Sequence, residues 1–321
     1  MSTETQLQYV VSTILPVFVV IGLGYLAFKA RVMPENGHRA LAAFVFNFGL
    51  PAAIFSALST RPIEAIWNSD YILVYTLGSL MVFALVLAFS FFQLKKPLTE
   101  GVILGLGSSF SNSLLIGFPI IYFLFGHDAM VPFSLTLIVE NLILLPLILT
   151  LADLSAENGN CNLVSRFVQT AQNLAKNPIV LAISGGLLVS ALSLEPPEVA
   201  VRVVDMLAKT VTGIALFTIG GGLLGVRAGG MKKEISTVVI SKLFLHPLLL
   251  LMLILVGFDL EPTMSAVAVI LASMPMFGVY AVIGQKYNMG GICSAVLLPT
   301  TLVSTITISA VTTITIIIFN L

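Results

Sequence analysis

Charge is what this chain has least of. Lysine and arginine number 15, aspartate and glutamate 15, and together they make up 9% of 321 residues. A soluble domain of that length carries roughly a quarter charged residues. A water-exposed surface of ordinary size cannot be covered with so few, so a soluble globular fold is excluded and lipid is the expected solvent. The net charge is zero, and no basic stripe or aromatic-interleaved basic patch appears, so no nucleic-acid partner is expected. Cysteine is nearly absent. Cys161 lies in a polar stretch and Cys293 near the start of an apolar one, which reads as a loop thiol and a small packing residue rather than a disulfide or metal site. The three histidines, His38, His127 and His246, are far apart, and neither HExxH nor DDxxD occurs. An intramembrane enzyme is therefore not expected, and no cofactor is called for. The opening MSTETQLQY has no basic residue ahead of the first apolar run, so that run is expected to be retained rather than cleaved as a signal.

What the chain does have is apolar residues, 58% of the total, arranged in long runs. A helix needs about 20 of them to cross a bilayer. Ten spans are expected, at 9–28, 40–59, 71–93, 101–125, 131–152, 178–194, 203–226, 236–258, 263–285 and 291–319, giving an all-α polytopic membrane protein. The polar stretch 153–177 between spans 5 and 6 is the longest loop and has room for a short surface helix. Basic residues gather in alternate loops: Lys29, Arg31 and Arg39; Lys95 and Lys96; Arg166 and Lys176; Arg227, Lys232 and Lys233; and Lys286. The opposite loops hold Arg61 and Arg202. That bias places the richer loops in the cytoplasm and both termini outside.

Ten spans divided at the central loop make five and five, 1–152 and 178–321, joined by 153–177. An odd repeat inserts its second copy upside down, the inverted-repeat plan of secondary transporters. The sign of it is a pair of interrupted spans at corresponding positions. Span 4 reads GVILGLGSSFSNSLLIGFPIIYFLF, with Ser111, Asn112, Ser113, Gly117 and Pro119 at its centre; span 9 reads AVAVILASMPMFGVYAVIGQKY, with Ser273, Met274, Pro275, Phe277 and Gly278. Proline removes a helical donor and biases the residue before it away from helix, and glycine permits a turn. Half-helices are expected at 101–110 and 119–125, with 111–118 unwound, and at 263–272 and from Pro275, with a break at 273–274. Two half-helix N-termini near the midplane would favour an anion, and Ser111, Asn112 and Ser113 would add neutral donors. Two helix C-termini at the same place would suit a cation or a proton-bearing group. The alternative is a pair of proline kinks that only shape packing.

The chain resembles the auxin efflux carrier family, bacterial relatives of the plant auxin carriers. The resemblance is carried by SNSLLIGFP and SMPMFGVYAVIGQKY, with LPVFVVIGLGYLAFKARVMPENG, FNFGLPAAIF and VLLPTTLVSTITIS in support, and it covers essentially the whole length. It implies an Na+/H+-antiporter-like fold of two inverted five-helix repeats. It also implies a scaffold of spans 1, 2, 6 and 7 and a transport domain of spans 3–5 and 8–10. The substrate would be a small organic anion at the crossing of spans 4 and 9. Plant members hold the auxin carboxylate with an asparagine in span 4, which carries over to Asn112. They use a second asparagine in span 9, where this chain has Ser273, Met274 and Phe277. An anion other than auxin is implied, malonate-like carboxylates among them. A cation-coupled carrier of bile-acid-transporter type is the alternative; a channel or enzyme is less well matched.

Several further residues draw attention. Glu140 lies mid-span with about 15 Å of helix on either side, too far to reach water. With Asn141 beside it, it is the candidate for coupling to H+ or Na+. Lys242 is expected to snorkel to the cytoplasmic face, with His246 a satisfied polar residue. Lys209 either snorkels or pairs with Asp205 at i,i+4. Ser184, Gly185 and Gly186 in span 6, and Gly221 and Gly225 in span 7, read as close-packing faces, with a homodimer seam through the scaffold left open. The Ser/Thr-rich span 10 (Thr300, Thr301, Ser304, Thr305, Thr307) is expected to bond mostly to its own helix, with Thr301 or Ser304 near the crossing as the alternative.

Overall fold

The computed structural model describes residues 16, 19–34, 36–62, 66–156, 172, 175–222 and 232–321. Cys161, Arg166, Gly225, Arg227, the start of span 1 and most of the 153–177 loop lie outside the described residues. The protein is all-helical, with no strand among the described residues. Six helical stretches are long and apolar enough to cross a membrane, and three shorter apolar helices, Val19–Lys29, Pro178–Ala191 and Pro262–Ala272, accompany them. In chain order the helices are α1 (Val19–Lys29), α2 (Gly37–Ser59), α3 (Ser69–Phe92), α4 (Leu98–Ser109), α5 (Phe118–Phe125), α6 (130–155), α7 (Pro178–Ala191), α8 (Glu198–Gly222), α9 (Lys232–Gly257), α10 (Pro262–Ala272), α11 (Tyr280–Lys286) and α12 (Gly290–Phe319). The 58-residue stretch Leu98–Ser155 holds α4, α5 and α6. It reverses at Gly126, whose φ of +57° is open to glycine at no steric cost.

Helix α3 shows how the chain is built for lipid. Leu73, Leu77, Leu85 and Phe89 are exposed on its outer side, while Tyr71, Tyr75 and Ser79, four residues apart, are fully buried. The more polar stripe faces inward, the reverse of a soluble helix. Small residues then let helices approach. In α4, a Cβ on Gly101 would lie 2.9 Å from Leu87 and one on Gly105 2.7 Å from Phe83, both on α3. Gly220 packs against the Ile21 backbone and Gly24 against the Phe217 backbone, joining α8 to α1. Gly186 lies against Leu58 and Phe55 of α2. The small faces foreseen in spans 6 and 7 thus serve packing within the chain.

Two sets of neighbours result. Helix α2 packs against α7 and α8; α3, α4, α6, α9, α10, α11 and α12 pack among themselves. The segment from Ser113 through α5 meets α8, and α6 meets α2, across the boundary between the two sets.

Among the described residues four turns of π-helix interrupt the helices, at Val45–Gly49, Ser113–Gly117, Val139–Leu144 and Ser241–Leu245. Each ends two residues before a proline: Pro51, Pro119, Pro146 and Pro247. The cause is common to all four. Proline has no N–H for the carbonyl four residues back and its ring pushes on that carbonyl; widening the turn by one residue relieves both. The widened turns shift which side chains face inward, and three of them carry Ser113, Glu140 and Lys242.

Both breaks differ in extent from the expectation. In span 4 the backbone is open only over 110–112, and the helix restarts at Ser113, ahead of Pro119. An Asn112 side chain that accepts from the Leu115 N–H supplies the cap that allows the earlier start. Gly117 is helical and does not make the break; its missing side chain makes room, since a Cβ there would lie 2.6 Å from Leu271 of α10. In span 9 the opening is longer, 273–279, and helix resumes at Tyr280 rather than Pro275. Pro275 instead turns its carbonyl to the other break.

Candidate functional site

The two interrupted segments touch. The Asn112 N–H donates to the Pro275 carbonyl at 2.7 Å, and the Phe110 and Phe277 rings meet at a 42° tilt with centroids 4.3 Å apart. Open backbone at membrane depth costs several kcal/mol per unpaired group, so each break supplies a partner the other needs. Met274, fully buried, packs beside Gly117 from the opposite strand of the crossing.

Beneath the crossing lies a buried polar cluster. Glu140 Oε1 accepts from Ser113 Oγ at 2.8 Å and from the Tyr75 hydroxyl at 3.1 Å. Lys242 Nζ lies 2.6 Å from Ser111 Oγ, 2.9 Å from the Ala272 carbonyl and 2.8 Å from His246 Nδ1. His246 Nε2 in turn meets Ser79 Oγ at 3.0 Å, and the Tyr71 hydroxyl pairs with Thr136 at 2.7 Å. Glu140 is 1% exposed, and Lys242 and His246 are 0% exposed. A carboxyl and an amine in the interior, Glu140 and Lys242, are each held by a hydroxyl of one three-residue segment, Ser113 and Ser111. Such groups persist only when their hydrogen-bonding capacity is met.

The expectation for Lys242 is therefore corrected. It does not reach the cytoplasmic face; the π turn at Ser241–Leu245 directs it inward, onto the crossing. His246 is a satisfied polar residue, as expected. Asn141 donates to Leu137 of its own helix and takes no part in the Glu140 bonds. Ser273 likewise donates back to Ile270.

One cavity opens on the crossing, and a second lies farther along α2 and α8. The smaller, about 210 Å3, is lined by His38 and Ala42 of α2, Thr218 and Gly222 of α8, Thr301 of α12, and Asn112, Met276 and Gly278 from the two breaks. The larger, about 580 Å3, is lined by Ser56 and Ala57 of α2, Tyr122 of α5, and Asp205, Lys209 and Thr212 of α8. Asp205 is held there by Ser56 at 3.0 Å. Along α2 the nearest residues of the two linings, Ala42 and Ala53, are separated by about 16 Å of helix.

Of the hydroxyl and amide groups expected to meet a ligand, Ser111 and Ser113 are committed to Lys242 and Glu140. Asn112 alone faces the smaller cavity. Its bond from the Leu115 N–H fixes the amide's orientation, because only oxygen can accept, and leaves the two N–H donors out of that bond. In span 9, Met276 and Gly278 line the cavity, while Ser273, Met274 and Phe277 pack elsewhere. A Cβ on Gly278 would meet nothing within 4 Å, so the glycine keeps the wall open. Thr301 lines the cavity as well as bonding its own helix, whereas Thr300, Ser304, Thr305 and Thr307 bond back to the helix and are not among the cavity's lining. Buried Cys293 is a packing residue, set against Gly284.

Sequence reasoning missed Lys242. A signal was present: one intramembrane carboxylate with no partner assigned, and one lysine inside a span four residues before a histidine.

Helices long and apolar enough to cross a membrane, interrupted helices that meet among them, and a cavity at the meeting point define a multi-pass membrane transporter. The pattern of the membrane transport protein family matches residues 9–312, so the chain belongs to that family, the auxin efflux carrier family its motifs resemble. It is 30% identical over 300 residues, 92% of each chain, to a protein of Rhizobium meliloti (strain 1021) named "Putative malonate transporter". It is 25% identical over 252 residues, 77% of this chain and 78% of the other, to the "Uncharacterized transporter YfdV" of Escherichia coli (strain K12).

Proposed function

We propose that this protein is a secondary carrier that moves a small organic anion, a malonate-like dicarboxylate, across the cell membrane by alternating access. The observation that carries the reading is the contact of the two breaks through Asn112 and Pro275, with a cavity lined by residues of both. Ten spans in two inverted five-helix repeats, with both termini outside, account for two interrupted segments crossing head to head. Helices α1, α2, α7 and α8 act as scaffold, and the remainder moves against them, opening the two cavities in turn. Homodimerisation through the lipid-facing side of the scaffold, where Leu181 and Leu188 are exposed, belongs to the same proposal.

The smaller cavity is the substrate site. Its volume equals about seven water molecules at ~30 Å3 each, which suits a three-carbon dicarboxylate and not a large aromatic acid. Asn112 supplies two donors, and the restart of the helix at Ser113 supplies N-terminal N–H groups nearby. Hydrogen bonds to a charged partner are worth about 1.5–3 kcal/mol each, enough for recognition yet loose enough for release. Glu140 is the proton-coupling group, tied to the substrate segment through Ser113.

Counterflow in liposomes tests the reading. Purified protein loaded with malonate is expected to exchange it for external labelled malonate, and Asn112→Ala to slow this at least tenfold. Exchange of neutral or cationic solutes only would overturn the anion assignment.

A further inference from the structure

We infer that His38 is the second anion-binding group of the smaller cavity: its imidazole, on α2, receives one carboxylate of a dicarboxylate whose other carboxylate is held by Asn112. The inference rests on the carrier reading above and narrows its cargo to anions with two carboxylates.

The polar inventory of the cavity is the basis. Among the described residues, the lining side chains that can hydrogen-bond strongly are His38, Asn112, Thr218 and Thr301, and none is acidic. A bound anion needs donors. Thr218 Oγ1 donates to the Ile214 carbonyl at 2.6 Å and Thr301 Oγ1 to the Leu297 carbonyl at 2.8 Å, so each hydroxyl has committed its one hydrogen to its own helix. The Asn112 oxygen takes the Leu115 N–H, and its two N–H donors stay outside that bond. His38 makes no hydrogen bond among the described residues. An imidazole carries one N–H in either neutral tautomer and two when protonated. Of the described lining residues it is the one able to add positive charge. Side-chain donors are thus left on two residues, His38 and Asn112.

The two stand on different sets of helices. His38 and Ala42, one turn apart, put the same face of α2 into the cavity wall. Two neighbours set the ring. Phe28 of α1 meets it edge-on, with centroids 5.7 Å apart, and Gly221 of α8 leaves room for it, since a Cβ there would lie 2.9 Å from the His38 Cβ. Asn112 belongs to the break that bonds to Pro275. An anion with two carboxylates can therefore pair with both sets at once. A monocarboxylate answers one donor and leaves the other unmatched. A site built to pair with a polar group strongly rejects the analogue that lacks it.

Titration calorimetry with malonate and with monomethyl malonate, which keeps the chain and loses one charge, tests the inference. Wild-type protein is expected to bind malonate at least tenfold tighter than the monoester. His38→Ala should weaken malonate at least tenfold and the monoester less than threefold, so that the preference collapses. His38→Gln keeps an N–H donor and should restore part of it, and Asn112→Ala should weaken both ligands. Wild-type protein that binds the two equally overturns the inference. So does a monodisperse His38→Ala that keeps the wild-type preference. If neither variant purifies, NMR of wild-type protein with labelled histidine decides, because the chain has only three imidazoles. Malonate is expected to shift the His38 signal, and a signal unmoved at saturation overturns the assignment. Malonate exchange in liposomes with an unchanged preference in His38→Ala would remove the histidine and leave the carrier. The expected binding without any exchange would refute the carrier and leave the histidine. Wild-type protein that binds neither ligand refutes both.

Discussion

Asn112 does different work with its two ends, and Asn112→Asp separates them. The side-chain oxygen caps the restarting helix through the Leu115 N–H at 3.2 Å, and the residue lines the smaller cavity. Aspartate is as good a cap as asparagine, whereas alanine forfeits about 1 kcal/mol. Aspartate should therefore keep the crossing intact, including the Asn112 backbone bond to Pro275, which no side chain makes. It replaces two donors by an acceptor and adds a negative charge where an anion must sit. Losing one hydrogen bond to a carboxylate costs about 1.5–3 kcal/mol, or about 10–150-fold in Kd at 1.4 kcal/mol per decade, and repulsion adds to that. Titration calorimetry with malonate, beside thermal unfolding, reads both ends at once. The expected result is a melting temperature within about 2 °C of wild type with binding weakened at least tenfold. Alanine should lower both. Aspartate that binds malonate as tightly as asparagine does would refute the placement of the donors, and with it the substrate site.

Gly117→Val is expected to separate the two broken segments, because even the first added carbon meets Leu271 at 2.6 Å; overpacking of this kind costs about 1–3 kcal/mol, read as lower melting temperature and lost exchange. Glu140→Gln keeps an oxygen for Tyr75 and Ser113 but removes the charge. Malonate exchange without a pH gradient should persist while gradient-driven accumulation disappears, and accumulation that survives would remove Glu140 from coupling. Ahead of α4, Lys96 bridges Glu234 at 3.0 Å and Glu100 at 3.4 Å, and its bond to Glu234 raises its ammonium above the usual lysine range. A raised folded-state value means the contribution is complete below the ordinary lysine pKa and fades as pH climbs through the raised one. The difference in melting temperature between wild type and Lys96→Met should thus be constant at neutral pH and shrink only in strong alkali.

Much of the site could be read from local chemistry. The interruptions at SNSLLIGFP and SMPMFGVY were legible because proline, glycine and polar side chains in an apolar run are costly unless something surrounds them. Glu140 was legible for the same reason. Their details were not. Gly117 looked like the hinge of its break, yet it is helical and serves the approach of Leu271; nothing local distinguishes a glycine that bends from one that makes room. Pro275 looked like a helix start, yet the chain stays open to Tyr280, held by the Tyr280 hydroxyl on the Ile103 carbonyl at 3.1 Å and by Gly107, where a Cβ would lie 2.6 Å from the Tyr280 ring.

Composition and spacing by themselves determined that this is a helical membrane protein with two interrupted spans, because the cost of charge and open backbone in lipid acts on every residue without reference to its neighbours. Which way Lys242 and Asn112 face was decided only by the tertiary structure. A lysine near a span end can reach the headgroups or turn inward at similar cost. The choice falls to the acceptors that wait inside, and Ser111, Ala272 and His246 come together from three separate parts of the chain only once the helices have packed.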